Sequence, residues 1–187
     1  ALEESPEFAR MKHLAVKQPF AEVVRTRPMH VLVGVALLAG TACFNGLFFS
    51  HLPAYLSAVL KYDPKQAVFA QTTGVIAAAL GILAVGWIAA RVAPRHLLRV
   101  GVLLLMLGAV PFYQALATHS GSLPLILLIA GVCAGLTNGS FAVLLTDLFP
   151  TSIRFTGVAL VFNVSFTLFS GLSPLVATTF IRNTGSV

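Results

Sequence analysis

Only six of the 187 residues are acidic, and none lies in the middle of a long apolar run. Glu3, Glu4, Glu7 and Glu22 precede the first run, Asp63 separates two runs, and Asp147 closes another. Charged residues of both signs make up 10% of the chain, well below the share of roughly 25% usual in soluble domains. Cysteine is scarce as well. Cys43 and Cys133 both fall within apolar runs, where a cysteine packs as a small apolar side chain, so neither a disulfide nor a metal site is expected. No nucleophile triad, phosphate loop or metal-ligand cluster is visible, which excludes enzyme chemistry and leaves no cofactor and no metal to assign.

What the chain has in abundance is apolar length, since 57% of its residues are hydrophobic. About 20 mostly apolar residues cross the hydrocarbon of a bilayer, roughly 30 Å thick. Five runs reach or approach that length: 28–60, 67–90, 97–117, 123–149 and 155–181. The breaks carry turn chemistry, with Asp63-Pro64 after the first run and the segment from Pro150 to Arg154 before the last. Pro53 predicts a kink near the far end of the first run and removes one backbone donor, freeing a carbonyl near Phe49. An all-α membrane protein with five spanning helices is therefore expected. Residues 1–27 mix acids, bases and prolines without an apolar core, so they read as a cytosolic linker and not as a signal or targeting segment.

A formal charge of +6 and a pI near 9.9 would make a nucleic-acid surface a candidate in a soluble domain. The apolar runs decide against nucleic acid, and the bases mark orientation instead. Nine of the twelve lysines and arginines lie before the first run, at the Arg91 to Arg99 break, or at Arg154. Lys61, Lys65 and Arg182 lie on the other side. Cytoplasmic flanks retain positive charge during insertion, so the N-terminus is expected in the cytosol and the C-terminus of this chain outside the cytoplasmic membrane.

Gly86, Ala89, Arg91 and Arg95 fit the loop pattern G-x-x-A-D-R-x-G-R-R, with Ala90 where the pattern has aspartate and Ala93 where it has glycine. The segment from Asp147 to Gly157, which includes Pro150, Thr151, Arg154 and Thr156, fits acid-x-F-P-T-x-x-R-x-T-G. In these segments the chain resembles the major facilitator superfamily of carriers. Phe162-Asn163, the run from Gly171 to Leu175, the run from His51 to Leu56 and the segment Leu2 to Pro6 resemble its metabolite:H+ symporter branch, which carries proline and betaine, α-ketoglutarate, citrate and shikimate. The resemblance implies a five-helix bundle equivalent to helices seven to eleven of such a carrier, with helices one to six and helix twelve missing. It implies a small-molecule substrate, protons as the coupled ion, and the absent N-terminal half as the partner in alternating access. It also makes Gly86, Arg91, Arg95, Asp147 and Arg154 cytosolic gating residues.

Polar side chains inside the runs are the candidates for a substrate pathway, because a polar group facing lipid without a partner is costly. Thr41, Asn45, His51 and Tyr55 share about a third of the first helix circumference. Asn163, Thr167 and Ser170 form a second stripe on the fifth, and Gln71 and Asn138 sit alone on the second and fourth. The candidate pathway is therefore Asn45, His51, Tyr55, Gln71, Asn138 and Asn163. Asn45, Gln71, Asn138 and Asn163 serve equally well as interhelical hydrogen-bonding groups. His51 is the one histidine at depth, and it either titrates in the pathway or reaches water at the helix end. Gly131, Gly135 and Gly139 recur every four residues on the fourth run, and Gly74, Ala78 and Gly81 make a similar ridge on the second; small residues at this spacing let helices approach closely. An uncoupled facilitator, an efflux carrier of the same fold, and a non-transporting membrane sensor or assembly subunit are the alternatives.

Overall fold

The computed structural model describes residues 19–184. A short helix α1 (Pro19–Thr26) leads into five long ones: α2 (Pro28–Val59), α3 (Pro64–Ile88), α4 (Pro94–Ala117), α5 (Leu123–Asp147) and α6 (Arg154–Asn183). All five are long and apolar enough to cross a membrane, and no strand occurs among the described residues. Of the 1–27 segment read as a linker, residues 19–26 are helical, and residues 1–18 lie outside the described residues. Val23 anchors α1, fully buried in a cluster with Phe149, Ile153 and Val161.

Helices α3 and α4 begin three residues before their apolar runs, and the cause is local. Pro64 and Pro94 occupy first-turn positions, where a missing N–H and a fixed φ suit a helix start. Ahead of Pro64, the Asp63 carboxylate accepts from the backbone N–H of Lys65 at 2.8 Å and of Gln66 at 3.1 Å. That cap satisfies two donors which the helix itself leaves unpaired.

Two pairings organise the bundle, α3 with α5 and α2 with α6, while α4 rests on α5. Between lipid-bathed helices, burial of apolar surface supplies little, so close packing must hold them. Glycine makes this possible at the α3–α5 seam. A Cβ on Gly131 would run into the Gly74 carbonyl, and one on Gly135 would meet the Ala78 carbonyl oxygen and the Gly81 Cα, each at 2.7 Å. Gly139 is filled by the side chain of Val85 at 2.8 Å. Helix α4 is the least covered: Met106 is 70% exposed, Leu107 75% and Val110 64%.

Two apolar clusters cap the bundle at opposite ends. One gathers Phe48, Leu52, Tyr55 and Leu56 of α2 against Leu116, Leu123 and Leu127. The other gathers Leu38, Phe141, Leu145, Phe149 and Val161. Between them lies a band where hydrogen-bonding side chains are buried, including Thr41, Asn45, Thr137 and Ser140.

Candidate functional site

That band is built by α2, α3 and α5. Asn45 is 9% exposed. Its Nδ2 donates to the Thr41 carbonyl at 2.7 Å and to Asn138 Oδ1 at 3.1 Å, and Asn138 Nδ2 donates to the Ala134 carbonyl at 2.8 Å. Each amide is thus fixed to its own helix by one bond and to the other helix by the shared one. Such a linked pair orders both side chains, because a buried amide that swings loses more than it gains.

Helix α2 does not run regularly beyond Asn45. From Gly46 to His51 and again from Tyr55 to Val59 its turns widen, with N–H groups reaching five residues back. A third wide turn, Phe166–Ser170, interrupts α6, and it packs against α2 at the level of the first. Gly46 permits that approach, since a Cβ there would collide with the Ser170 carbonyl and the Ser173 hydroxyl. Ser173 Oγ donates to the Cys43 carbonyl at 3.3 Å and to the Ser170 carbonyl at 3.2 Å.

Pro53 lies just past the first wide turn and has no N–H to offer it. The carbonyl that loses its donor is that of Phe48, and it accepts from Gln71 Nε2 of α3 at 2.9 Å. Gln71 Oε1 is itself buried without a partner, as is Ser165 Oγ just before the wide turn of α6.

The six pathway candidates therefore separate into three places. Asn45, Asn138 and Gln71 lie in the α2–α3–α5 band. His51 stacks on Tyr55 with ring centroids 5.6 Å apart, and Tyr55 meets Tyr113 of α4 edge-on at 6.1 Å. Tyr55 is 3% exposed in the apolar cluster, so it packs toward α4 and away from the amides. Asn163 is exposed on α6 and is bonded to its own Ala159 carbonyl at 2.8 Å. The wide turns explain why the first-helix stripe divides: each inserted residue rotates the remainder of the helix by about 100° relative to a regular one.

A crevice of about 830 Å³ opens between α2, α4 and α5, lined by groups such as Thr41, Phe44, Met106, Tyr113 and Cys133. None of the three band amides lines it. Among the described residues no group of three or more His, Cys, Asp or Glu is placed to hold a metal ion.

At the other end of the bundle, Gly86 in the last turn of α3, Arg91 in the link and Arg95 in the first turn of α4 are all exposed. The Arg91 guanidinium sits over the Trp87 ring, 4.8 Å from its centroid, a cation–π contact. Asp147 ends α5 and Arg154 opens α6. Arg154 Nε donates to the Phe149 carbonyl at 3.1 Å and so closes the turn between them. Residue pattern alone does not single out Phe48, Trp87, Tyr113 or Ser173 for these roles. Ser173 is visible only as part of a resembling segment.

Comparison with known proteins gives this arrangement a family. The model of the Major Facilitator Superfamily matches residues 2–174. A citrate-proton symporter of Klebsiella pneumoniae is 27% identical over 187 residues, covering 98% of this chain and 42% of that protein. An ectoine/proline transporter of Corynebacterium glutamicum is 26% identical over 166 residues, covering 88% of this chain and 33% of that protein. A proline/betaine transporter of Escherichia coli K12 is 29% identical over 168 residues, covering 86% and 32%. The chain spans less than half the length of these relatives, and no solved structure matches it. With a family match over residues 2–174 and five helices long and apolar enough to cross a membrane, the chain belongs to the major facilitator superfamily, a family of multi-pass membrane transporters and not of enzymes.

Proposed function

We propose that this chain forms helices seven to eleven of a secondary carrier for a small organic acid, amino acid or betaine, coupled to protons and working by alternating access against an N-terminal half. The relatives' names support that substrate range and include citrate-proton symporters. The observation that carries the reading is the Asn45–Asn138 hydrogen bond between α2 and α5, with Asn45 9% exposed among the other hydrogen-bonding side chains of the band. In carriers of inverted-repeat design, substrate sites lie near mid-membrane where half-unwound helices meet, and α2 leaves regular geometry immediately after Asn45.

No Asp or Glu lies in the middle of a spanning helix. The proton-coupling acid then belongs to the half not present, or His51 takes that role. In this reading Arg91, Arg95, Asp147 and Arg154 face the cytosol of the inner membrane and pair differently in the inward-open and outward-open states. Uptake by the full-length carrier in proteoliposomes, with a panel of labelled citrate, proline and betaine and with or without a proton gradient, is the test. Uptake that runs only to equal concentrations on the two sides, with or without the gradient, would favour an uncoupled facilitator. Absence of any uptake would favour a sensor built on the same scaffold.

A further inference from the structure

The register of α2 depends on a side chain from another helix. In the wide turn the Leu52 amide closes on the Leu47 carbonyl, five residues back. By the same register the next carbonyl, Phe48, falls to residue 53, which is proline and has no N–H. Gln71 fills that vacancy from α3 at 2.9 Å. In a regular helix the Leu52 amide would instead take the Phe48 carbonyl, and proline would orphan Phe49. The Leu47 and Phe48 carbonyls therefore compete for the one Leu52 N–H, so only one register can hold at a time, and the Gln71 bond favours the wide one because only there does Phe48 lack a main-chain donor.

Rewinding to the regular register would remove the inserted residue and turn everything beyond it by about 100°. That segment carries His51 and Tyr55, now stacked on each other and set against Tyr113. It is also lightly tied to the helical pattern, because only Leu52–Ala54 separates the two wide turns and the Leu60 amide again reaches five back, to Tyr55. Two mutually exclusive hydrogen-bond sets on one helix make a bistable element, which is what a transport cycle requires. We infer that Gln71 is a positioning residue that holds the Tyr55 end of α2 in the wide register, and that its release lets this end rewind. The inference rests on the carrier reading for its consequence in transport, but not for the hydrogen-bond competition itself.

A double-variant cycle in the full-length carrier tests it. Gln71→Leu removes the donor to Phe48, whereas Pro53→Ala restores a main-chain N–H that serves Phe48 in the wide register and Phe49 in the regular one. Gln71→Leu should lower the maximal uptake rate about tenfold while substrate affinity changes less than about twofold. Adding Pro53→Ala should bring the rate back to within about twofold of the parent. A Gln71→Leu defect that appears in affinity and is not rescued by Pro53→Ala would overturn the inference and make Gln71 a substrate contact. The thermal unfolding midpoint in detergent supplies a readout independent of transport. It should fall in Gln71→Leu and recover in the double variant even if no tested substrate moves, and a midpoint unchanged by Gln71→Leu would equally overturn the inference. Should Gln71→Leu fail to insert, recovery of inserted protein by Pro53→Ala supports the inference and continued failure defeats it.

Discussion

Asn45 and Asn138, 93 residues apart in the chain, share a hydrogen bond of 3.1 Å across α2 and α5. It joins two helices at the point where one of them changes its winding. If the pair orients substrate, truncating either amide leaves the other without its partner, and the two losses will not add.

Asn45→Ala and Asn138→Ala in the full-length carrier should each weaken apparent uptake affinity roughly 3- to 30-fold, the range that corresponds to interhelical bonds of about 0.6 to 2 kcal/mol. The double variant should cost little more than either single one. Additive losses, measured by concentration-dependent uptake, would show that the two amides act separately.

The α3–α5 seam gives a prediction about stability. A Cβ at Gly135 meets backbone on α3 from Ala78 to Gly81, which cannot rotate aside. Gly135→Val should therefore lower the thermal unfolding midpoint strongly, with overpacking of about 1 to 3 kcal/mol or more. Gly108 has open space around it, so Gly108→Ala should leave the midpoint unchanged or raise it slightly.

Topology is tested by chemistry at two loops. Single cysteines placed at 63 and 93 in intact cells should differ in labelling by an impermeant maleimide, with 63 reactive and 93 protected until the membrane is opened. Equal labelling of both would overturn the orientation read from the bases.

Ala90 stands where the family pattern carries aspartate, next to the Arg91 that lies over Trp87. Ala90→Asp should add a partner for nearby guanidinium groups and shift the full-length carrier toward the outward-open state by about 1 to 3 kcal/mol. Cysteines on the cytosolic side of the pathway should then label more slowly.

Much of this architecture is legible in the residues themselves. Apolar length gave the five helices, and glycine spacing gave the two small-residue ridges, because both depend on features local to one helix; that the ridges meet each other is seen only in the packing. Helix starts moved toward Pro64 and Pro94 because proline and Asp63 act on the backbone, not on hydropathy. The winding of α2 was not legible. Pro53 announces a missing donor, but which carbonyl it orphans depends on the register of the wide turn, and the donor that replaces it comes from Gln71 of another helix. For the same reason a stripe drawn at 100° per residue could not place Tyr55, since the wide turns break the period on which the stripe relies.

The glycine seam has a thermal consequence. Where backbone meets backbone at Gly131, Gly135, Gly74 and Gly81, there are few rotamers to freeze when the helices associate. Fixing a long side chain costs up to about 2 kcal/mol in rotamer freedom, and glycine costs none. The α3–α5 contact is thus a joint whose side-chain entropy is already spent at synthesis, so warming has little rotamer disorder to release there. Heat should loosen α4, the least covered of the long helices, before it parts that pair.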